Sequence, residues 1–257
     1  MDRVRGILAA ACLCLAWLSP ATCFGAMGDD PLQSPQWTDV KLAYIGVDRV
    51  VFDSRVVVTG PKVAEDSMNV PVGVKISGLD EVRRVLVIAD LNPIVKVLEF
   101  SAQGTLPALH FRMKLQQGSP VRAMAQTADG VWHVGGIWID ASGGGCTAPS
   151  VGRGSANWHE TLGQVQSRVW PGEQRSRVKV SIMHPMDTGL APGIPAFYIE
   201  RLALRDETGR EWMRIDTFEP VSENPVFSFD FPGVPPPGLR LVGQDNNGNR
   251  IDARVAQ

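Results

Sequence analysis

The chain has 257 residues, 44% of them hydrophobic and 20% charged, with a formal net charge of −2. This composition supports a soluble, globular protein of one large domain or two ordinary ones. Nothing in the charge balance points to nucleic acid or to an anionic membrane surface as a partner.

Residues 1–26 read as a secretory signal: Arg3 and Arg5 form a short positive region, Gly6 to Leu18 is apolar, and Ser19, Pro20 and small residues come next. The apolar stretch is too short to span a bilayer, so export to the periplasm is expected and a membrane anchor is not. Trp37 to Tyr44 is expected to be a short helix or turn packed against the strands after it. From Val70 to Val134 the chain alternates as half-buried strands do. Val70, Val72, Val74 and Ile76 share one face. Leu109, Phe111, Met113 and Leu115 share another, with His110, Arg112 and Lys114 opposite. Val85 to Ala89 is a continuous apolar run, as in a strand covered on both sides. Turn signals at Ser77-Gly78, Asn92-Pro93, Gln103-Gly104 and Asp129-Gly130 separate short strands, the pattern of a β-sandwich.

The alternation stops after Asp140 and returns at about Val178. Residues 141–164 are rich in Gly, Ser and other small residues and read as a linker between domains. Alternation then runs through Val178, Val180 and Ile182, and through Phe227, Phe229 and Phe231 with Ser228 and Asp230 opposite. Asn246-Asn247-Gly248-Asn249 is a hairpin signal. The expected fold class is therefore all-β, with sandwich domains over 27–140 and 165–257.

Of the four cysteines, Cys12, Cys14 and Cys23 fall in or at the end of the signal, which leaves Cys146 alone in Ser142-Gly143-Gly144-Gly145-Cys146-Thr147-Ala148-Pro149. In an oxidising compartment a lone thiol suggests intermolecular pairing, an adduct or a reactive group. The alternative is a buried cysteine acting as a small hydrophobe. Few apolar neighbours flank it, so exposure is expected. The six steps from Asp140 to Cys146 reach about 20 Å when extended.

The first half resembles SoxY, the sulfur-carrying subunit of the thiosulfate-oxidising system, through Val70-Pro71-Val72, Ile88-Ala89-Asp90-Leu91-Asn92-Pro93 and the strand leading into Gly-Gly-Gly-Cys. The second half resembles SoxZ through His184-Pro185-Met186-Asp187-Thr188-Gly189 and Ser222-Glu223-Asn224-Pro225-Val226-Phe227-Ser228-Phe229. The fused order is similar to the SoxYZ-like carriers associated with quinoprotein dehydrogenases. The resemblance implies two immunoglobulin-like β-sandwich domains, SoxY-like then SoxZ-like, that pair within the chain and are joined by the Gly-rich linker. It implies covalent attachment of a sulfur-containing, thiosulfate-type intermediate at Cys146, with Gly143, Gly144 and Gly145 as a flexible arm, and periplasmic redox enzymes of cytochrome or quinoprotein type as partners. On this reading the chain is a carrier on which enzymes act. The family places its cysteine in a Gly-Gly-Cys-Gly-Gly arm at the chain end, whereas here Thr147-Ala148-Pro149 comes after it and the chain continues.

No base or helix terminus is evident beside Cys146, so a partner enzyme, or a folded-back Arg153 or His159, would have to activate it. His184 to Gly189 reads first as a structured turn, with Asp187 capping backbone amides and Gly189 free to take positive φ. Docking through His184 and Asp187 is the sharper reading. The four histidines show no metal-ligand spacing, so neither metal nor cofactor is expected. A second function class stays open: a non-catalytic interaction or maturation module for a periplasmic quinoprotein dehydrogenase, with Cys146 incidental.

Overall fold

The structure, a computed structural model, describes residues 30–151 and 157–255. The signal reading of residues 1–26 and the suggestion for Arg153 lie outside these residues. The first half contains helix α1 (Trp37–Tyr44) and strands β1 (Val50–Phe52), β2 (Val56–Thr59), β3 (Val63–Ala64), β4 (Val70–Ile76), β5 (Val82–Ala89), β6 (Lys96–Ala102), β7 (Ala108–Met113), β8 (Ser119–Thr127) and β9 (Trp132–Ala141). The second half contains β10 (Val165–Trp170), β11 (Arg175–Ile182), β12 (Ile199–Arg205), β13 (Glu211–Thr217), β14 (Val226–Pro232), β15 (Arg240–Asp245) and β16 (Arg250–Arg254). No helix among the described residues is long and apolar enough to cross a membrane.

The strands form two sheets, and each sheet draws on both halves. A ten-stranded sheet runs β1-β9-β8-β5-β6-β13-β12-β15-β16, with β3 also beside β9. A six-stranded sheet runs β10-β11-β14-β7-β4-β2. The joins are antiparallel: Leu98 to Ala102 of β6 pair with Met213 to Thr217 of β13, and His110 and Leu109 of β7 pair with Ser228 and Phe229 of β14. The two sandwich halves therefore share one hydrophobic core, in which Val74, Leu109 and Phe100 of the first half belong to the same cluster as Val180, Phe227 and Ile215 of the second.

The alternating faces lie where the pattern placed them. Val70, Val72, Val74 and Ile76 are buried, as are Leu109, Phe111, Met113 and Leu115. Val85 to Ala89 is buried on both sides because Trp37 and Val40, one turn apart on α1, cover Leu86 and Ile88 on the outer face of the sheet. The guanidinium of Arg122, buried in this layer, bonds Asp90 and Asp30 and lies 4.3 Å from the Trp37 ring, which pins the N-terminal segment to the sheet. β10 carries only Val165 and Val169 inward with Ser167 between them, too weak an alternation to be read from sequence. Lys114 departs from its expected exposure: it comes directly after the last residue of β7 and is 1% exposed, whereas His110 and Arg112 face solvent.

Because the halves share two backbone ladders and a core, a chain cut between residues 152 and 156 should stay associated. With a site-specific protease sequence inserted there, the nicked protein is expected to elute as one species on size exclusion and to separate only in denaturant. Two species in plain buffer would show that the ladders do not hold the halves together.

Candidate functional site at the Cys146 arm

Cys146 is a free thiol, and it is buried, with no exposed surface. The exposed thiol expected from sequence is not found, and the glycine arm leading to it is docked instead of free. Past β9 the chain folds back onto the segment after β7. Gly144 N–H donates to the Gln116 carbonyl and Gly145 N–H to the Leu115 carbonyl, both at 3.1 Å. Cys146 N–H donates to the Gln116 side-chain oxygen at 3.2 Å, and Thr188 Oγ1 donates to the Cys146 carbonyl. Thr147 and Ala148 N–H both donate to the Gly144 carbonyl, so the cysteine sits in a tight turn.

The glycines serve this docking. Gly143 and Gly144 take φ of +102° and +83°, the left-handed region that glycine enters without steric cost. At Gly145 a Cβ would lie 2.1 Å from the Ser67 carbonyl oxygen and 2.6 Å from that of Leu115, so no larger residue fits the seat.

Both halves build the seat. From the first half, Asn92 donates to the Lys114 carbonyl and accepts from Gln116 N–H, each at 2.9 Å, and so fixes the floor. The thiol lies 3.9 Å from the same Lys114 carbonyl. From the second half come Met186, Asp187, Thr188 and Glu223. Lys114 Nζ donates to the Met186 carbonyl, and Met186 takes a left-handed φ of +52°, sparsely populated by non-glycine residues. Asp187 accepts from Ser150 N–H at 3.3 Å and Glu223 from Val151 N–H at 2.7 Å, which holds the outgoing chain.

Asp187 thus lies beside the arm, but it is buried, as is His184, so neither side chain offers a docking surface. The His184 Nδ1 accepts from Met186 N–H at 3.0 Å, its Nε2 faces Asp245 at 3.4 Å, and the Phe197 ring lies tilted against it with centroids 4.4 Å apart. An Nδ1 that accepts leaves the proton on Nε2 in the neutral ring. The histidine organises the turn from His184 to Gly189, where Gly189 has the expected positive φ of +78°.

Electrostatically the site pairs a thiol with a buried ammonium. Burial pushes the Cys146 thiol up to about 11, and the nearby Lys114 charge opposes that rise. Burial pushes the Lys114 ammonium down, while Asp187, Cys146 and Glu223 each favour its charged form. The docked thiol is therefore protonated and poorly nucleophilic at neutral pH. Lys114 is the residue that sequence reading missed. It continues the outward row of His110 and Arg112, and only the folded-back arm and the Met186 turn bury it. Gln116 carried no sequence signal beyond being polar, and Thr188 was marked only as a member of the His184 to Gly189 motif.

Docking favours the protonated thiol, whose ordinary value near 9.0 rises to about 11 in the seat. Its contribution is present below about pH 9 and is lost as pH rises toward 11. Gly145→Ala, which cannot dock, should react with iodoacetamide on the order of 100-fold faster than the parent at pH 7, the ratio of thiolate fractions for the two values. The gap should narrow as pH approaches 11, and equal rates at pH 7 would show that the seat does not protect the thiol. Lys114→Met removes the cation that lowers the thiol's proton affinity, so the thiolate absorbance titration of the docked protein should shift to higher pH. A shift to lower pH would place the ammonium out of electrostatic reach.

Two family profiles match the chain, one in each half. The family profile described as sulfur oxidation protein SoxY matches residues 41–146 and ends on Cys146 itself. That described as sulphur oxidation protein SoxZ matches residues 171–256. No curated protein matches the chain. Among solved structures, the sulfur carrier protein SoxY from Chlorobium limicola f thiosulfatophilum is similar at 17% identity and a TM-score of 0.36, covering 42% of this chain and 96% of its own. The chain thus carries a SoxY domain followed by a SoxZ domain, as a fused SoxYZ protein.

Proposed function

We propose that the protein is a periplasmic sulfur carrier in which Cys146 holds a thiosulfate-type intermediate while partner redox enzymes of cytochrome or quinoprotein type act on it. The observation that carries this reading is the position of Cys146: the one free cysteine among the described residues stands at the last residue of the SoxY match, on three glycines, in a seat completed by the SoxZ half. Loading would form one S–S bond between the Cys146 sulfur and the outer sulfur of thiosulfate. The thiol proton leaves to solvent and two electrons leave to the oxidised centre of the partner enzyme.

The docked arm is the resting state on this reading. Its handful of backbone hydrogen bonds contribute about 0.5–1.5 kcal/mol each. Ordering a glycine-rich segment costs about 1–2 kcal/mol per residue. The two are of similar size, so undocking is within reach of a partner's binding energy. Once out, the thiol regains its ordinary proton affinity. Because the chain continues past Cys146, the thiol enters a partner as a loop with two strands of backbone, which asks for a wider channel than a free chain end would.

Burial of Cys146 specifically favours the second reading, an interaction or maturation module for a periplasmic quinoprotein dehydrogenase with the thiol as a packed small side chain. The two readings part at Cys146→Ser. A carrier variant should fold, with a stability change within about 1 kcal/mol, yet lose all transfer activity. Intact mass of the native protein from the periplasm of its host should then show a reductant-labile increment of sulfur or thiosulfonate on Cys146 in the parent and none in the variant. An unmodified thiol under inducing conditions, with full activity of Cys146→Ser, would overturn the carrier reading.

A further inference from the structure

The two sheets treat their surface charges differently. On the ten-stranded sheet the exposed charges are of both signs and most of the cations are paired: Arg201 with Asp216, Arg214 with Glu211, Arg240 with Asp252, and Arg84 and Lys96 with Glu99, while Arg83, Arg250 and Arg254 have no carboxylate partner among the described residues. Across the six strands of the other sheet Asp230 is the only acidic residue, and Arg175 and Arg177 already hold it. The outward face of this sheet carries Arg168, Arg175, Arg177, Lys179 and Arg112, with His110 among them, all exposed.

Arg168 and Lys179 are direct cross-strand partners on this face. Like charges placed opposite each other on neighbouring strands destabilise a sheet, and neither Arg168 nor Lys179 has a carboxylate partner among the described residues to offset this. The face is also concave. Three adjoining hollows of about 420, 650 and 440 Å³ cross it, and Lys179 lines all three. The floor is made of small residues, Gly73, Thr59 and Ser228, in register with His110. Trp170, 40% exposed with the Arg168 guanidinium 5.0 Å from its ring, stands at one end. Trp and Arg are the side chains that most often anchor protein interfaces. The opposite end adjoins the cysteine seat, because Arg112 precedes Lys114 by two residues.

We infer that this concave cationic sheet face is the docking surface for a partner protein with a carboxylate-rich surface, placed so that docking brings the partner beside the Cys146 arm. Charge complementarity selects the partner: Lys179, Arg168 and Arg112 have no carboxylate partner among the described residues, and the one carboxylate on these strands, Asp230, is already held by Arg175 and Arg177. An aromatic and arginine anchor favours an acidic polypeptide over a nucleic acid, and poly-L-glutamate carries the carboxylates of such a partner. The inference does not depend on what Cys146 carries, and the same binding is expected of Cys146→Ser.

The test is a titration of the full-length protein with poly-L-glutamate, followed by tryptophan emission, at low and at physiological salt. Binding should quench emission, weaken with salt, and lose its optical signal in Trp170→Phe. Lys179→Glu, which sets an opposite charge against Arg168 and should therefore fold, is expected to weaken binding on the order of tenfold or more. Arg201→Glu, on the other sheet, should leave it unchanged. Equal effects of Lys179→Glu and Arg201→Glu, or no binding at low salt, would overturn the assignment of this face. Displacement by duplex DNA at matched charge would overturn the assignment of a protein partner in favour of a nucleic acid. Loss of binding in Cys146→Ser would overturn the independence of this face from the arm, whereas retention of binding with loss of sulfur transfer leaves the two sites separate, as inferred.

Discussion

Two backbone ladders, β6 with β13 and β7 with β14, make this molecule what it is. Each joins a strand of the first half to one of the second, and together they run both sheets across the whole chain. A sandwich half with an open sheet edge presents unpaired N–H and C=O groups that invite pairing with whatever is near. Here each half meets the other's edge, and the apolar faces beneath close over one core. Tethering the halves in one chain keeps their effective concentration in the millimolar range, so the pairing is favoured by proximity as well as by area.

The cysteine seat depends on that closure. Its floor, Lys114 to Gln116, belongs to the first half and is braced by Asn92 of the turn that carries the SoxY-like motif. Its wall, Met186 to Thr188, belongs to the second half and is braced by His184, Asn224 and Asp245. Neither half alone supplies the Thr188 hydroxyl and the Gln116 amide that hold Cys146 from its two sides. A thiol in this seat is kept protonated by burial while an ammonium stands near enough to favour the anion once the balance tips. Protection and readiness thus come from the same packing. The two sheets also differ in surface charge: carboxylates are interleaved with cations on the ten-stranded one, whereas cations prevail on the six-stranded one.

Much of the fold could be read from residue order. Period-two alternation marked the buried faces of β4, β7, β11 and β14, because one sheet face meets a core and the other meets water. The continuous run Val85 to Ala89 announced a strand covered on both sides, and α1 provides that cover. Local pattern failed where burial is decided from far away. Lys114 sits at an outward position by period, and it is residues 142–146 and 186 that cover it, from 28 or more positions along the chain. Asp230 likewise belongs to the outward row and is buried by Arg175 and Arg177 of the adjoining strand.

The sequence by itself determined that the chain is two successive β-sandwich halves, that Cys146 follows three glycines, and that its motifs resemble SoxY and then SoxZ. These are properties of local period, composition and short motifs, which neighbouring residues encode. Only the tertiary structure decided that the halves share one core, that the arm is seated with its thiol hidden, that Lys114 is its ionic neighbour, and that cations from β7, β10 and β11 gather on one concave face. Each of these depends on which distant segments meet, and that is set by strand pairing across the whole chain.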